Sequence, residues 1–112
     1  MRAINRCPIP QGTLDMLILQ TVAAGAEMHG FEIAEAILET SQEVFQVEEG
    51  SLYPALQRLL VKGYLVGNWG RTQDNRRARY YKLTAAGRRQ LGVEVEEYLR
   101  VNRAITRIIQ PA

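Results

Sequence analysis

The chain holds a single cysteine, Cys7, so no internal disulfide can form. That thiol lies among prolines near the N-terminus, and so little cysteine fits a reducing cytoplasm. There is also a single histidine, His29, with no cysteine near it in sequence. A structural or catalytic metal site needs several such ligands, so none is expected. No Ser–His–acid order and no glycine-rich phosphate loop is visible. Glu48 beside Glu49, and Glu96 beside Glu97, diverge on a helix and make poor acid–base partners. His29 reads instead as a turn residue with a local hydrogen bond. Catalytic residues, metal ligands and cofactors are all expected to be absent, and an enzyme is the least favoured class. No apolar run approaches the roughly 20 residues of a membrane span, and no signal-peptide pattern is present.

Two further absences are local. Between residues 27 and 49 there are seven acids (Glu27, Glu32, Glu35, Glu39, Glu43, Glu48, Glu49) and no Lys or Arg. Between residues 58 and 89 the only acid is Asp74, against Arg58, Lys62, Arg71, Arg76, Arg77, Arg79, Lys82, Arg88 and Arg89. That second segment carries +8, although the whole chain carries only +2. An ordinary surface mixes its signs. So one-sided a segment favours a polyanion as partner. The 112 residues are one domain by length, with room for a modest core.

What is present is organised around residues 49–63, EGSLYPALQRLLVKG. Leu52, Leu56, Leu59 and Leu60 recur at helical spacing and form an apolar stripe. Ser51, Tyr53, Pro54, Gln57, Arg58 and Lys62 lie around the remaining face. Hydroxyl, phenol, amide, guanidinium and ammonium groups suit phosphates and base edges, and a plain solvated face is the alternative reading. Glu48 or Ser51 is placed to cap the helix and Gly63 to end it. Residues 64–69 then read as a strand, 70–77 as a polar turn with Asp74 and Asn75 at its tip, and 78–83 as a second strand. In this hairpin Leu65, Trp69, Tyr81 and Leu83 fall on one face and are expected to cover the core. A helix followed by a basic hairpin is the pattern of a winged helix-turn-helix.

Four segments together resemble the PadR-like family of transcriptional regulators: GTLDMLIL at 12–19, HGFEIA at 29–34, EGSLYPALQRLLVKGYL at 49–65 and RRARYYKLTAAGRR at 76–89. The likeness runs from Gly12 to about Arg89. It implies a bacterial repressor that binds double-stranded DNA as a homodimer, with Arg76, Arg77 and Arg79 as a basic wing.

The remaining elements fit that plan. Residues 1–11 read as an N-terminal arm. Thr13 can cap a first helix with Asp15 in its first turn; Leu14, Leu17, Ile18 and Val22 give its core face, and Gly25 ends it. Met16 and Leu19 exceed one face; in a dimer they could meet a partner, and a well-buried central helix is the alternative. A second helix, 31–41, turns Ile33, Ala34, Ile37 and Leu38 inward and Glu32, Glu35 and Glu39 outward. That acidic stripe should point away from DNA and could meet basic residues of the last helix. Residues 44–47, VFQV, are β-prone and could supply the short first strand of the winged sheet.

Thr84 reads as the cap of a final helix, 85–109, with Pro111 beyond it. Leu91, Val95, Tyr98, Asn102, Ile105 and Ile109 follow alternating spacings of four and three. Such a heptad-like stripe expects a partner helix, and a second copy of the chain is the natural one, with packing back on its own domain as the alternative. Tyr98 and Asn102 are the candidate effector-binding residues, since some PadR-like regulators respond to phenolic or planar aromatic compounds. The fold class is therefore α+β, mostly α: an arm at 1–11, a winged helix-turn-helix at 12–83 and a C-terminal dimerisation helix at 84–112. The function expected is a cytoplasmic, sequence-specific regulator, a homodimer on an inverted-repeat operator. The alternatives are a winged helix that binds nucleic acid without sequence preference, and a protein–protein adaptor.

Overall fold

The computed structural model describes residues 6–110. Its elements in chain order are α1 (Leu14–Gly25), β1 (Glu27–His29), α2 (Gly30–Thr40), α3 (Glu49–Val61), β2 (Leu65–Arg71), β3 (Arg77–Leu83) and α4 (Ala85–Ile109). The three strands form one antiparallel sheet in the order β1-β3-β2. This is an α+β chain, mostly helical, with the winged helix-turn-helix layout and a long C-terminal helix.

The core forms where the apolar stripes of the helices meet one end of the sheet. Ile18, Leu19, Val22, Ile33, Leu52, Leu56 and Leu59 are fully buried there, joined by Leu65, Tyr81 and Leu83 from the strands and Leu91 from α4. Helix α1 is central, in contact with α2, α3, α4 and β3. This explains its excess of apolar residues. Met16 and Leu19 lie in the chain's own core, so of the two readings the well-buried central helix holds and the partner contact does not.

The short first strand also lies elsewhere than expected. Glu27–His29 pairs with β3, placing Glu27 opposite Lys82 and His29 opposite Tyr80. Residues 44–47 carry the stronger β propensity but form no strand. Phe45 and Val47 pack on the core instead, and the Val44 carbonyl accepts from the Cys7 amide at 3.0 Å. An open sheet edge recruits whichever segment the fold brings to it, so location outweighs propensity for so short a strand. Of the arm read over 1–11, residues 1–5 lie outside the described residues. The rest is docked, with Arg6 bonded to Gln46 and 3.8 Å from Glu43.

Local chemistry sets the helix ends. His29 caps α2: its Nδ1 accepts from the Glu32 amide at 3.4 Å, while Glu32 Oε1 accepts from the His29 amide at 3.1 Å. This reciprocal box satisfies two otherwise orphaned donors. The histidine thus has the local hydrogen bond expected of it. Thr13 precedes α1 without capping it, because its hydroxyl is spent on the Pro10 carbonyl at 2.6 Å. The left-handed residue after α1 is Ala26, at φ 72°, not Gly25. Glu48 precedes α3 without a side-chain cap, and Ser51 lies inside the helix. Pro54 is accommodated in its second turn, where it offers no N–H to the preceding turn.

One junction fixes the wing relative to α3. Gly63, at φ 80°, ends α3, and its carbonyl accepts from the Thr84 hydroxyl at 2.7 Å. The same Thr84 oxygen accepts from the Gly87 amide at 2.9 Å and so caps α4. Pro111, read as the stop after α4, lies outside the described residues.

Candidate nucleic-acid interface

On α3 the burial follows the stripe. Leu52, Ala55, Leu56 and Leu59 face the core, while Ser51, Tyr53, Pro54, Gln57, Arg58 and Lys62 are all exposed. Tyr53 leans on α2: a Cβ added at Gly30 would stand 3.0 Å from its hydroxyl. Arg58 is tied to α1, with Nη2 2.9 Å from Asp15 Oδ1.

The hairpin extends past the core. Its register runs from Leu65 opposite Leu83 to Arg71 opposite Arg77, whereas β1 covers β3 only as far as Tyr80. Beyond that point no third strand backs the ribbon. At its tip Asn75 takes φ 62°, its amide donating to the Thr72 carbonyl, and Arg71 braces the turn by donating to the Asn75 carbonyl at 3.1 Å. The Asp74 and Asn75 tip is as the sequence indicates.

Trp69 is not a core residue. It is 60% exposed, and the Arg77 guanidinium carbon sits 4.3 Å from the centre of its ring. Alternation put Trp69 on the same face as Leu65, Tyr81 and Leu83, and that much holds. At its position along the ribbon, however, no helix stands behind that face. Arg79 lies across Gly67 on the same face, and its Nε is buried with no hydrogen-bond partner.

Wing and helices face each other across an open cleft of about 950 Å³. The wing wall carries Trp69, Arg76, Arg77 and Arg79; the opposite wall carries Phe31, Glu32, Glu35, Glu49 and Tyr53. Glu32 and Glu35 therefore open toward the wing. This corrects the expectation that the acidic stripe points away from the DNA-binding side, and among the described residues no salt bridge joins α2 to α4. Burial pushes the Tyr81 phenol at the inner end of this cleft above its ordinary value; Arg79 opposes the shift and Tyr53 adds to it.

Helix α4 divides into two parts. Leu91 is buried and Val95 packs against the same core, so both belong to the chain's own interior rather than to a partner surface. This corrects the stripe as read, because α1 covers that first part of α4. From Glu96 onward every described residue is exposed. Tyr98, Asn102, Ile105 and Ile109 lie there, and so do Val101 and Ile108, which the sequence reading missed. Tyr98, Val101, Ile105 and Ile108 repeat by three, four and three, a second seam visible in the sequence. Tyr98 also lines a groove of about 350 Å³ beside Met16 and Val101, and Asn102 lies outside it.

The Transcriptional regulator PadR-like family model matches residues 18–93. The chain belongs to this family. Its members are transcriptional regulators, not enzymes. The chain is 41% identical over 69 residues to Transcriptional regulator Rv3488 of Mycobacterium tuberculosis, covering 62% of this chain and 61% of that one. A transcriptional regulator from Clostridium thermocellum superposes with a TM-score of 0.80 at 27% identity, over 89% of this chain and 96% of that chain. Bacillus subtilis PadR, solved in complex with operator DNA, superposes with a TM-score of 0.66 at 22% identity, over 77% of this chain and 48% of that one, a likeness of fold. No described helix is long and apolar enough to cross a membrane.

Proposed function

We propose that this PadR-family regulator binds double-stranded DNA as a homodimer and represses by occluding a promoter in the cytoplasm. The observation that carries the reading is the cleft in which Glu49 and Tyr53, near the start of α3, face the arginine wing. In this reading Ser51, Tyr53, Pro54, Gln57, Arg58 and Lys62 enter or border the major groove. Gln57 suits adenine and Arg58 suits guanine. Arg76, Arg77 and Arg79 meet the backbone. Bacillus subtilis PadR, of the same fold, was solved in complex with operator DNA, which supports DNA as the partner.

The dimer is supported by the uncovered half of α4. Its apolar residues, Tyr98, Val101, Ile105, Ile108 and Ile109, are 42% to 78% exposed. Its charges are also segregated, with Glu94, Glu96 and Glu97 before the midpoint and Arg100, Arg103 and Arg107 after it. Two such helices crossing antiparallel set acid against base. The aromatic effector is proposed beside Tyr98, whose groove is apolar and open; Asn102 would reach it only from the partner helix. An effector there must favour one dimer arrangement to change DNA affinity.

The test is to select bound fragments from the host genome with the purified protein. An inverted repeat with half-sites about one helical turn apart, or a multiple of it, supports the reading. Salt-sensitive binding without a recovered motif would favour the sequence-neutral alternative. No recovery of DNA at all would leave the adaptor.

A further inference from the structure

We infer that Trp69 is a positioning residue of the DNA interface, holding Arg77 flat and ready for a backbone phosphate at the edge of the groove. The inference rests on the DNA-binding reading above and adds to it a residue that composition and alternation both assign to the core.

An indole is a large apolar group, and this one is 60% exposed on a ribbon that no helix backs. Folding of the domain gives no reason for it. Arg79 is its cross-strand partner, and the Arg77 guanidinium is stacked over its face at 4.3 Å. A free arginine on a wing samples many rotamers, and ordering it on a phosphate costs entropy. Stacking covers one face of the guanidinium and leaves its N–H edges for hydrogen bonds, so part of that ordering is already done. Glu32, Glu35 and Glu49 line the opposite wall. Those acids keep phosphates, though not the base edges offered to α3, away from the opposite wall and leave the Trp69 wall as the side on which phosphates can lie.

Trp69 is the only tryptophan, so its emission reports on this site alone. The experiment titrates unlabelled duplex into the wild type while watching Trp69 emission. In parallel it measures affinity and salt dependence by anisotropy of a labelled duplex for wild type, Trp69→Ala, Trp69→Phe, Arg77→Ala and the Trp69→Ala, Arg77→Ala double variant. Circular dichroism checks that each variant is folded. Trp69→Ala is expected to weaken binding about three- to five-fold, on the scale of an exposed cation–π contact. Trp69→Phe should recover most of it. Arg77→Ala should lower the slope of log affinity against log salt by about one, and Trp69→Ala should add little to Arg77→Ala. Emission that does not respond to bound duplex, or equal and additive losses in the double variant, overturns the inference while leaving the DNA reading intact. Failure of the wild type to bind any duplex overturns the reading beneath it and the inference together.

Discussion

Arg58 on the exposed face of α3 holds Asp15 of α1 across 2.9 Å, so the arginine proposed to read a base is already paired with a carboxylate. Asp15 is the more enclosed partner, its side chain 22% exposed against 52% for Arg58. The pair fixes the direction of the guanidinium, and it also sets a negative charge beside the proposed DNA surface. Removing that charge should free Arg58. Asp15→Asn is expected to raise duplex affinity about two- to three-fold, the worth of an exposed ion pair. The same change should lower stability by about 1 kcal/mol, because Asp15 also lies in the first turn of α1, where negative charge is favoured. Anisotropy titration and thermal melting check the two halves. If Asp15→Asn and Arg58→Ala both leave duplex affinity unchanged, Arg58 does not touch DNA.

Tyr81 gives a prediction at high pH. Its phenol is buried beside Arg79 and Tyr53, and burial is the largest influence raising it above 10.0. The folded state therefore favours the neutral phenol. Stability from this preference is complete below the ordinary phenol value and is lost as pH rises through the raised one. The melting temperature of the wild type should fall more steeply above about pH 10 than that of Tyr81→Phe. Parallel curves for the two proteins over that range would show that Tyr81 ionises without opposition from the fold.

Helices α3 and α4 were legible because their apolar spacing is regular and their ends carry punctuation: Gly63 after the one, Thr84 before the other. The wing was legible from Tyr80 and Tyr81 beyond a polar tip. Strand β1 was not, since Glu27–His29 has no local pattern and exists only because β3 offers an edge. Trp69 was misread for a related reason. Alternation names the face of a strand, and only tertiary structure says whether anything stands behind it. Likewise, Leu91 and Ile109 sit on one seam in sequence, and only the placement of α1 decides that the first is core and the second exposed.

Two helical glycines on α4 should respond with opposite signs. An added methyl at Gly92 meets nothing within 4 Å, so Gly92→Ala gains helix propensity and should stabilise by about 0.5–1 kcal/mol. At Gly87 the same methyl would lie 2.1 Å from the Tyr64 carbonyl oxygen and 2.9 Å from Leu83 Cδ1. Backbone cannot yield as a side chain does, and this contact is where α4 departs from the root of the wing. Gly87→Ala should destabilise by about 2–4 kcal/mol, in the range of other severe steric changes. Denaturant midpoints settle the signs; a stabilised Gly87→Ala would mean that α4 does not lie against Tyr64.

His29 should matter as a cap. Its ring Nδ1 accepts from the Glu32 amide at 3.4 Å. His29→Ala should cost about 1 kcal/mol of stability, the usual price of a lost N-cap, whereas His29→Asn, a good capping residue, should cost much less. Equal losses in both variants would assign the effect to the ring's edge-on contact with Tyr80, 5.2 Å between centroids, rather than to the cap.

The proposed dimer makes the most discriminating prediction. Along the free half of α4, Glu97 is bound to its own Arg100 at 2.7 Å, and that hydrogen bond holds the Glu97 carboxyl below its usual range. Arg103 and Arg107 form no salt bridge among the described residues and are left for another chain. In an antiparallel pair they would approach Glu94 and Glu96 of the second copy; in a parallel pair each would approach its own equivalent. Reversing both, Arg103→Glu with Arg107→Glu, therefore turns an attraction into a repulsion only in the antiparallel case. Dimerisation measured by sedimentation should then weaken about ten-fold, since like charges set opposite each other are costly at an interface. Added salt should recover part of that loss, because charges exposed to solvent are screened over about 8 Å at physiological ionic strength. In a parallel arrangement the reversal exchanges one self-repulsion for another and leaves the association nearly unchanged. A wild-type chain that sediments as a monomer at every concentration would remove the dimer itself and leave the Tyr98 to Ile108 seam without a partner.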